Sequence, residues 1–153
     1  MSHTVTQEID IDSATQRDLP AIEALLTACD LPVEGVRDLV DEFVIARNNG
    51  RVVGVAAVEP CGAYGLLRSA AVDQSMRGRG VGRALIQRLI ADAEMKGYRA
   101  LYLLTTTAEN YFPAFGFITT SRESVPVEIQ ATSEFRDICP SSATVMRRQC
   151  ASL

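Results

Sequence analysis

The stretch "RGRGVGRAL", Arg77 to Leu85, sets glycines at 78, 80 and 82 among three arginines, directly ahead of a segment with helical periodicity. Alternate glycines remove the Cβ atoms that would keep a ligand off the main chain. The first turn of a helix carries N–H donors with no intrahelical partner and about half a positive charge, so a loop entering it binds anions. Arg77, Arg79 and Arg83 add charge-assisted contacts at the rim. Two common phosphate loops are excluded. A Walker A loop fails because no Gly-Lys-Ser/Thr follows, and G-x-G-x-x-G fails because its third glycine falls on Arg83 or on Leu85.

The flanking segments give the loop its setting. Downstream, "GRALIQRLIADAEMKG" reads as an amphipathic helix with Leu85, Leu89 and Ile90 facing inward, stopped by Gly97. Upstream, "YGLLRSAAVD" reads as a strand. Before it, "EFVIARNNGRVVGVAAVEP" is a hairpin, two β-branched runs around Asn49-Gly50, a dipeptide suited to a tight turn with positive φ. Nearer the N-terminus, "VTQEIDI" predicts a first strand and "RDLPAIEALLTACDLP" a helix. That helix has Asp18 as N-cap, Pro20 in its first turn, and Ile22, Leu25, Leu26 and Cys29 on one face. "VEGVRDLVDE" predicts a second short helix. "YRALYLLTT" is a buried strand, "TAENYFPAFG" a short helix or turn, and "FITTSR" and "ATVMRRQ" the last strands. The expected order, β-α-α-β-β-β-α-β-α-β-β, is of the α/β (α+β) class. One domain over residues 1–153 is the simplest division of a chain this long.

Composition excludes several function classes. A chain with 47% apolar and 22% charged residues is ordinary globular material. No apolar run reaches the length of a membrane span, and the polar, acidic start is no secretory signal, so a cytoplasmic protein with no membrane partner is expected. A net charge of −4 argues against a general nucleic-acid binder. The cysteines at 29, 61, 139 and 150 are scattered, without C-x-x-C, and read as reduced, mostly buried thiols. His3 is the only histidine. A Ser-His-Asp triad, a Cys-His pair and a histidine-rich metal site are therefore ruled out, and no metal is expected.

The pattern R-x-x-G-x-G, from Arg77 to Gly82, lies between "LLRSAAV" and a long helix. It resembles the pyrophosphate loop of the GNAT superfamily of acetyl-CoA-dependent N-acetyltransferases. The resemblance runs from the hairpin at 43–58 to the "GF" at 116–117. It implies a mixed, mostly antiparallel central sheet with helices on both faces, a bulged fourth strand, and splayed strands 4 and 5. It also implies acetyl-CoA as co-substrate. The pyrophosphate would lie against Arg77, Gly78, Arg79, Gly80, Val81, Gly82 and Arg83. The pantetheine arm would run along the backbone of Ala70, Ala71 and Val72, with Asn110 contacting it; on its own, Asn110 also suits a helix N-cap.

Direct transfer is implied: a neutral amine attacks the thioester carbonyl through a tetrahedral intermediate, with the Val72 N–H as donor to the carbonyl oxygen. Many family members place a tyrosine four residues before "GF" to protonate the leaving thiolate. That position is Phe112 here, and Tyr111 is one residue away, about 100° around a helix. Tyr111 is thus a candidate acid or a structural aromatic. For the base the candidates are Glu59, near the end of the third strand and preferred, then Glu109, Glu34 or a water chain. Arg68 is charged within an apolar strand and calls for an anionic partner, either a substrate carboxylate or an internal Glu or Asp.

"GLLRSAAV", "LYLLTTTAENYFPAFGF", "VPVEIQATSEF" and "CPSSATVMRR" are similar to small glutamate N-acetyltransferase-like enzymes, closest to the arsenic-resistance branch. The implied acceptor is a small amine of amino-acid type acetylated on its α-amine, an arsenic-bearing amino acid among the candidates. Thr105 and Thr106 would bind substrate or cofactor, or else satisfy loop backbone. Other acceptors, such as a polyamine or a protein N-terminus, and a non-catalytic acetyl-CoA sensor are the alternatives. The resemblance permits a homodimer.

Overall fold

Asn49 and Gly50 both adopt positive φ, 54° and 81°, as a two-residue turn between right-twisted strands requires. The turn joins β2 (Phe43–Asn48) to β3 (Arg51–Cys61), antiparallel from Asn48 opposite Arg51 to Phe43 opposite Ala57, with a bulge between Ala46 and Arg47. A computed structural model of the chain describes residues 9–138 and 142–151. His3 and Cys139 lie outside them. Seven strands form one mixed sheet in the order β1-β2-β3-β4-β5-β7-β6. Within it β1 is Ile9–Ser13, β4 Tyr64–Val72, β5 Ala100–Thr105, β6 Ile118–Thr120 and β7 Thr144–Gln149. The strand expected at 5–11 is thus described from residue 9 and continues to 13. Among the described residues no helix is long and apolar enough to cross a membrane.

Contacts divide the chain into two units: residues 1–57 with 69–88, and 58–68 with 89–153. In the first, β1 pairs antiparallel with β2. Helix α1 (Leu19–Ala28) buries Ile22, Leu25 and Leu26 against Val36, Val40, Phe43, Ile45, Val55 and Ala57, the apolar face its spacing predicts, with Cys29 half-buried at its end. Two expectations are corrected here. Asp18 stands at the N-cap position of α1 but makes no capping bond to that helix, because the chain is already helical through the 3-10 turn at Gln16–Asp18, which Asp18 helps to cap as the third residue of a capping box with Thr15. Its carboxylate instead accepts from the Thr15 N–H at 2.9 Å and the Arg47 guanidinium at 2.7 Å. The second short helix is a 3-10 segment, Arg37–Glu42.

In the second unit β5 pairs antiparallel with β7, and β7 with β6. The predicted strand at 117–122 is only three residues long. Two elements that sequence periodicity does not announce follow it, α3 (Val127–Gln130) and a π-helical turn, Glu134–Ile138. Ile129 of α3 is fully buried with Cys61, Leu66, Ala100, Tyr102, Val125 and Val145.

The β4 strand carries the irregularity that matters most. Its parallel pairing with β5 covers Tyr64–Leu66 against Ala100–Tyr102, although β4 runs on to Val72 and β5 to Thr105. Gly65 to Arg68 are buried without alternation, and Ser69 then takes φ of 57°, after which Ala70 is exposed and Ala71 buried. A left-handed residue inside a strand re-aims the side chains that follow it, as a bulge does. A β-branched residue fits that conformation poorly. Ser69→Val is therefore expected to lower stability beyond the cost that the serine already bears there. A urea-denaturation midpoint unchanged by the substitution contradicts a left-handed backbone at this position.

Candidate active site

The first unit holds the glycine loop and pins its entrance. At the end of β4 the Asp73 N–H donates to the Val53 carbonyl at 2.8 Å. The Asp73 carboxylate accepts from the Ser75 N–H at 3.2 Å and from the Ser75 hydroxyl, which keeps it below the usual carboxylate range, and Arg51 lies 3.7 Å away. A 3-10 turn, Gln74–Met76, follows, its Met76 side chain buried and its sulfur accepting from Asn48 Nδ2 at 3.7 Å.

Past Met76, residues 77–80 are all exposed. Gly78 and Gly80 have φ of 78° and 84°, and a Cβ added to either meets nothing within 4 Å. The helix α2 (Val81–Met95) starts immediately afterwards, so the N–H groups of Val81, Gly82 and Arg83 belong to its first turn and have no intrahelical partner. Gly82 sits inside the helix and outside the positive-φ set. Bare main chain in open space, leading into a helix start, fits a diphosphate.

The close approach of α2 to β3 rests on a glycine that motif reasoning passes over. A Cβ on Gly54 would lie 2.8 Å from Val81 Cγ1 and 2.9 Å from Leu85 Cδ1. The available signal was a lone glycine in a β-branched run, which marks close approach of another chain segment.

All three loop arginines are exposed, and Arg77 turns back onto the end of β4. Its Nε donates to the Val72 carbonyl at 3.2 Å and one terminal nitrogen lies 3.7 Å from Cys29 Sγ, while the Cys29 thiol donates to the same carbonyl at 3.6 Å. The last carbonyl of β4 thus acquires two donors, and Arg77 braces the strand end that carries Val72.

The second unit brings together residues that the sequence suggested separately. Arg68, only 3% exposed, donates to Glu59 Oε1 at 2.9 Å. Its Nε lies 3.5 Å from Oε1 of Glu134, the first residue of the π-helical turn. Of the two partners expected for Arg68, the internal carboxylates are the ones present. Burial pushes the Glu134 carboxyl up to about 7, opposed by Arg68 and reinforced by the Glu59 charge. Beside them burial pushes the Cys61 thiol up to about 12, with the charges of Glu59 and Glu128 adding to the rise, so it is a neutral thiol at physiological pH. Sequence reasoning missed Glu134. Its one signal was membership in "VPVEIQATSEF", a segment without periodicity.

The remaining candidates lie after β5 or in loops. Thr105 Oγ1 accepts from the N–H groups of Thr107 at 3.3 Å and Ala108 at 2.9 Å, so it closes the loop backbone, while Thr106 is exposed. Asn110 is exposed and does not cap the 3-10 segment Phe112–Phe115, whose N-cap position is Tyr111. Tyr111 is 45% exposed and stacks edge-on with Phe112 and Phe115, whereas Phe112, in the position expected for a tyrosine, is buried against Phe117. Glu109 is half-buried, with Oε2 lacking a hydrogen-bond partner among the described residues. Glu34 is exposed.

Residues 40–119, just over half of the chain, match the acetyltransferase (GNAT) domain profile. The chain belongs to the GNAT acetyltransferase family. The amino-acid acetyltransferase of Mycobacterium tuberculosis is 30% identical over 131 residues, covering 79% of this chain and 74% of its own. The amino-acid acetyltransferase of Serratia proteamaculans is 29% identical over 99 residues, 63% of this chain but 22% of that enzyme, so the chain spans about a fifth of the longer relative. Among solved structures, the N-acetylglutamate synthase of Neisseria gonorrhoeae complexed with coenzyme A and N-acetyl-glutamate superposes with a TM-score of 0.80 at 23% identity, covering 94% of this chain and 35% of that one. A Mycobacterium tuberculosis protein in complex with CoA and NLQ gives 0.80 at 23%, covering 93% and 99%. No group of three or more His, Cys, Asp or Glu side chains placed to hold a metal ion occurs among the described residues.

Proposed function

We propose that this GNAT domain acetylates the α-amine of a small amino-acid-like acceptor. The observation that carries the reading is the pair of left-handed glycines Gly78 and Gly80 in front of α2, where a Cβ would meet nothing within 4 Å beyond its chain neighbours. Acetyl-CoA supplies the activated acetyl thioester. The N–H groups from Gly78 to Arg83 hold its diphosphate, with Arg79 and Arg83 at the rim. The backbone of Ala70, Ala71 and Val72 holds the pantetheine arm, assisted by Asn110, and the Val72 N–H donates to the thioester oxygen. Arg77 steadies that N–H indirectly, through the Val72 carbonyl.

Glu59 takes the proton from the acceptor amine, and Arg68 orients Glu59 rather than gripping an acceptor carboxylate, since its guanidinium already faces two carboxylates. Tyr111, exposed after β5, donates to the departing thiolate; Thr106 contacts the acceptor, and Thr105 shapes the loop beside it. The acceptor class draws support from the amino-acid acetyltransferases among the relatives.

A thiol-release assay over amino acids including glutamate, an arsenic-bearing amino acid, dipeptides and polyamines tests the proposal. Release with amino acids is expected. Release confined to polyamines overturns the acceptor class, and acetyl-CoA binding without release for any amine overturns catalysis in favour of a sensor.

A further inference from the structure

Arg68 is one cation facing two carboxylates, and the two are unequal. Glu59 holds the shorter contact, 2.9 Å, and its side chain is 22% exposed; Glu134 sits at 3.5 Å with 8% exposed. The partly exposed carboxylate is placed to meet an amine, whereas the inner one is screened from solvent. We propose that Glu134 is a positioning residue for the transfer: by sharing the Arg68 guanidinium with Glu59, it determines how firmly that guanidinium holds Glu59 and so how readily Glu59 takes the acceptor's proton. The inference rests on the reading of Glu59 as the base.

The physics is a competition for one buried guanidinium. A cation committed to a single carboxylate favours its ionised form and opposes protonation. A second anion on the same cation draws part of that field away and adds like-charge repulsion, which favours proton uptake by the first. Among the described residues, the charges acting on Glu134 are those of Arg68 and Glu59. Glu59 comes from β3 and Arg68 from β4. Cys61, also on β3, stays a neutral thiol; Glu128 on α3 acts on Cys61; and Arg122 lies over the Phe135 ring.

Glu134 holds its proton up to about 7. Below that, Arg68 belongs to Glu59 and transfer is slow. Above it Glu134 ionises, loosens the grip of Arg68 on Glu59, and transfer speeds up.

The test compares the pH dependence of kcat/KM for the acceptor in the parent enzyme, Glu134→Gln, Glu134→Asp and Glu59→Gln. The parent is expected to show a rise centred near 7. Glu134→Gln keeps the shape but not the charge, so it should lose the rise and run about tenfold below the parent above pH 8, with the KM for acetyl-CoA unchanged. Glu134→Asp keeps the charge at a different depth, so its rise should return at a displaced pH. A merely structural Glu134 alters melting temperature and leaves the profile in place. A parent-like rise in Glu134→Gln overturns the proposal; if that variant does not fold, a rise at the parent's pH in Glu134→Asp does so. Glu59→Gln separates the two readings. Strong loss of kcat there together with an unaltered Glu134→Gln profile rejects only the role of Glu134, whereas full activity of Glu59→Gln rejects Glu59 as the base.

Discussion

Gly80→Val is expected to bind coenzyme A at least 30-fold more weakly than the parent, a loss of about 2 kcal/mol or more. The direction follows from where the new atoms go. Gly80 has φ of 84°, and a Cβ there meets nothing within 4 Å beyond its chain neighbours. On the proposed reading the diphosphate lies against this main chain, so a valine side chain competes with it for the approach to the main-chain donors. Part of the penalty falls on folding, since a left-handed backbone costs a β-branched residue about 1–2 kcal/mol. Calorimetric titration with coenzyme A, paired with a thermal melt, separates the two. A folded variant with parent affinity eliminates this loop as the cradle.

Arg68→Ala is expected to cost about 3–5 kcal/mol of stability, because breaking one side of a buried ion cluster leaves the opposite charges unpaired. Glu59 and Glu134 are then left without the guanidinium they share. Arg68 is the charge that holds the Glu134 carboxyl down, so in its absence Glu134 keeps its proton to higher pH, and adding Glu134→Gln to Arg68→Ala should change stability little near neutral pH. The background slope with pH has a definite sign. Glu134 is raised from an ordinary 4.5 to about 7, so the fold keeps its proton where the unfolded chain has released it. Its contribution is therefore greatest at low pH and declines as pH rises through that window. Urea denaturation at several pH values reads all of this. A loss below about 1 kcal/mol, as for an exposed pair, refutes a buried cluster.

Much of the architecture was legible because its causes are local. Asn49-Gly50 specifies a two-residue turn through the positive φ that only a few residue types accept readily, and the hairpin register follows from it. Leu85, Leu89 and Ile90 announce the buried face of α2 by spacing alone. The glycine loop announces itself by missing side chains, and the structure adds that only two of its three glycines are left-handed. Where the reading failed, the cause lay at a distance. Asp18 looked like a cap until Thr15 and Arg47 claimed its carboxylate. For Arg77 the structure adds a contact that its sequence does not announce, from its Nε to the Val72 carbonyl at the end of β4. Ser69 gives no compositional sign of its left-handed backbone.

The sequence by itself determined the hairpin, the long amphipathic helix and the glycine loop between strand and helix, since each depends on backbone preferences and periodicity within a few residues. Only the tertiary structure decided what the charges do. Glu59, Arg68 and Glu134 come from β3, β4 and a π-helical turn far along the chain, and nothing in their local sequence couples them. Ion pairing depends on distance and burial in space, quantities set only after the strands and turns have packed.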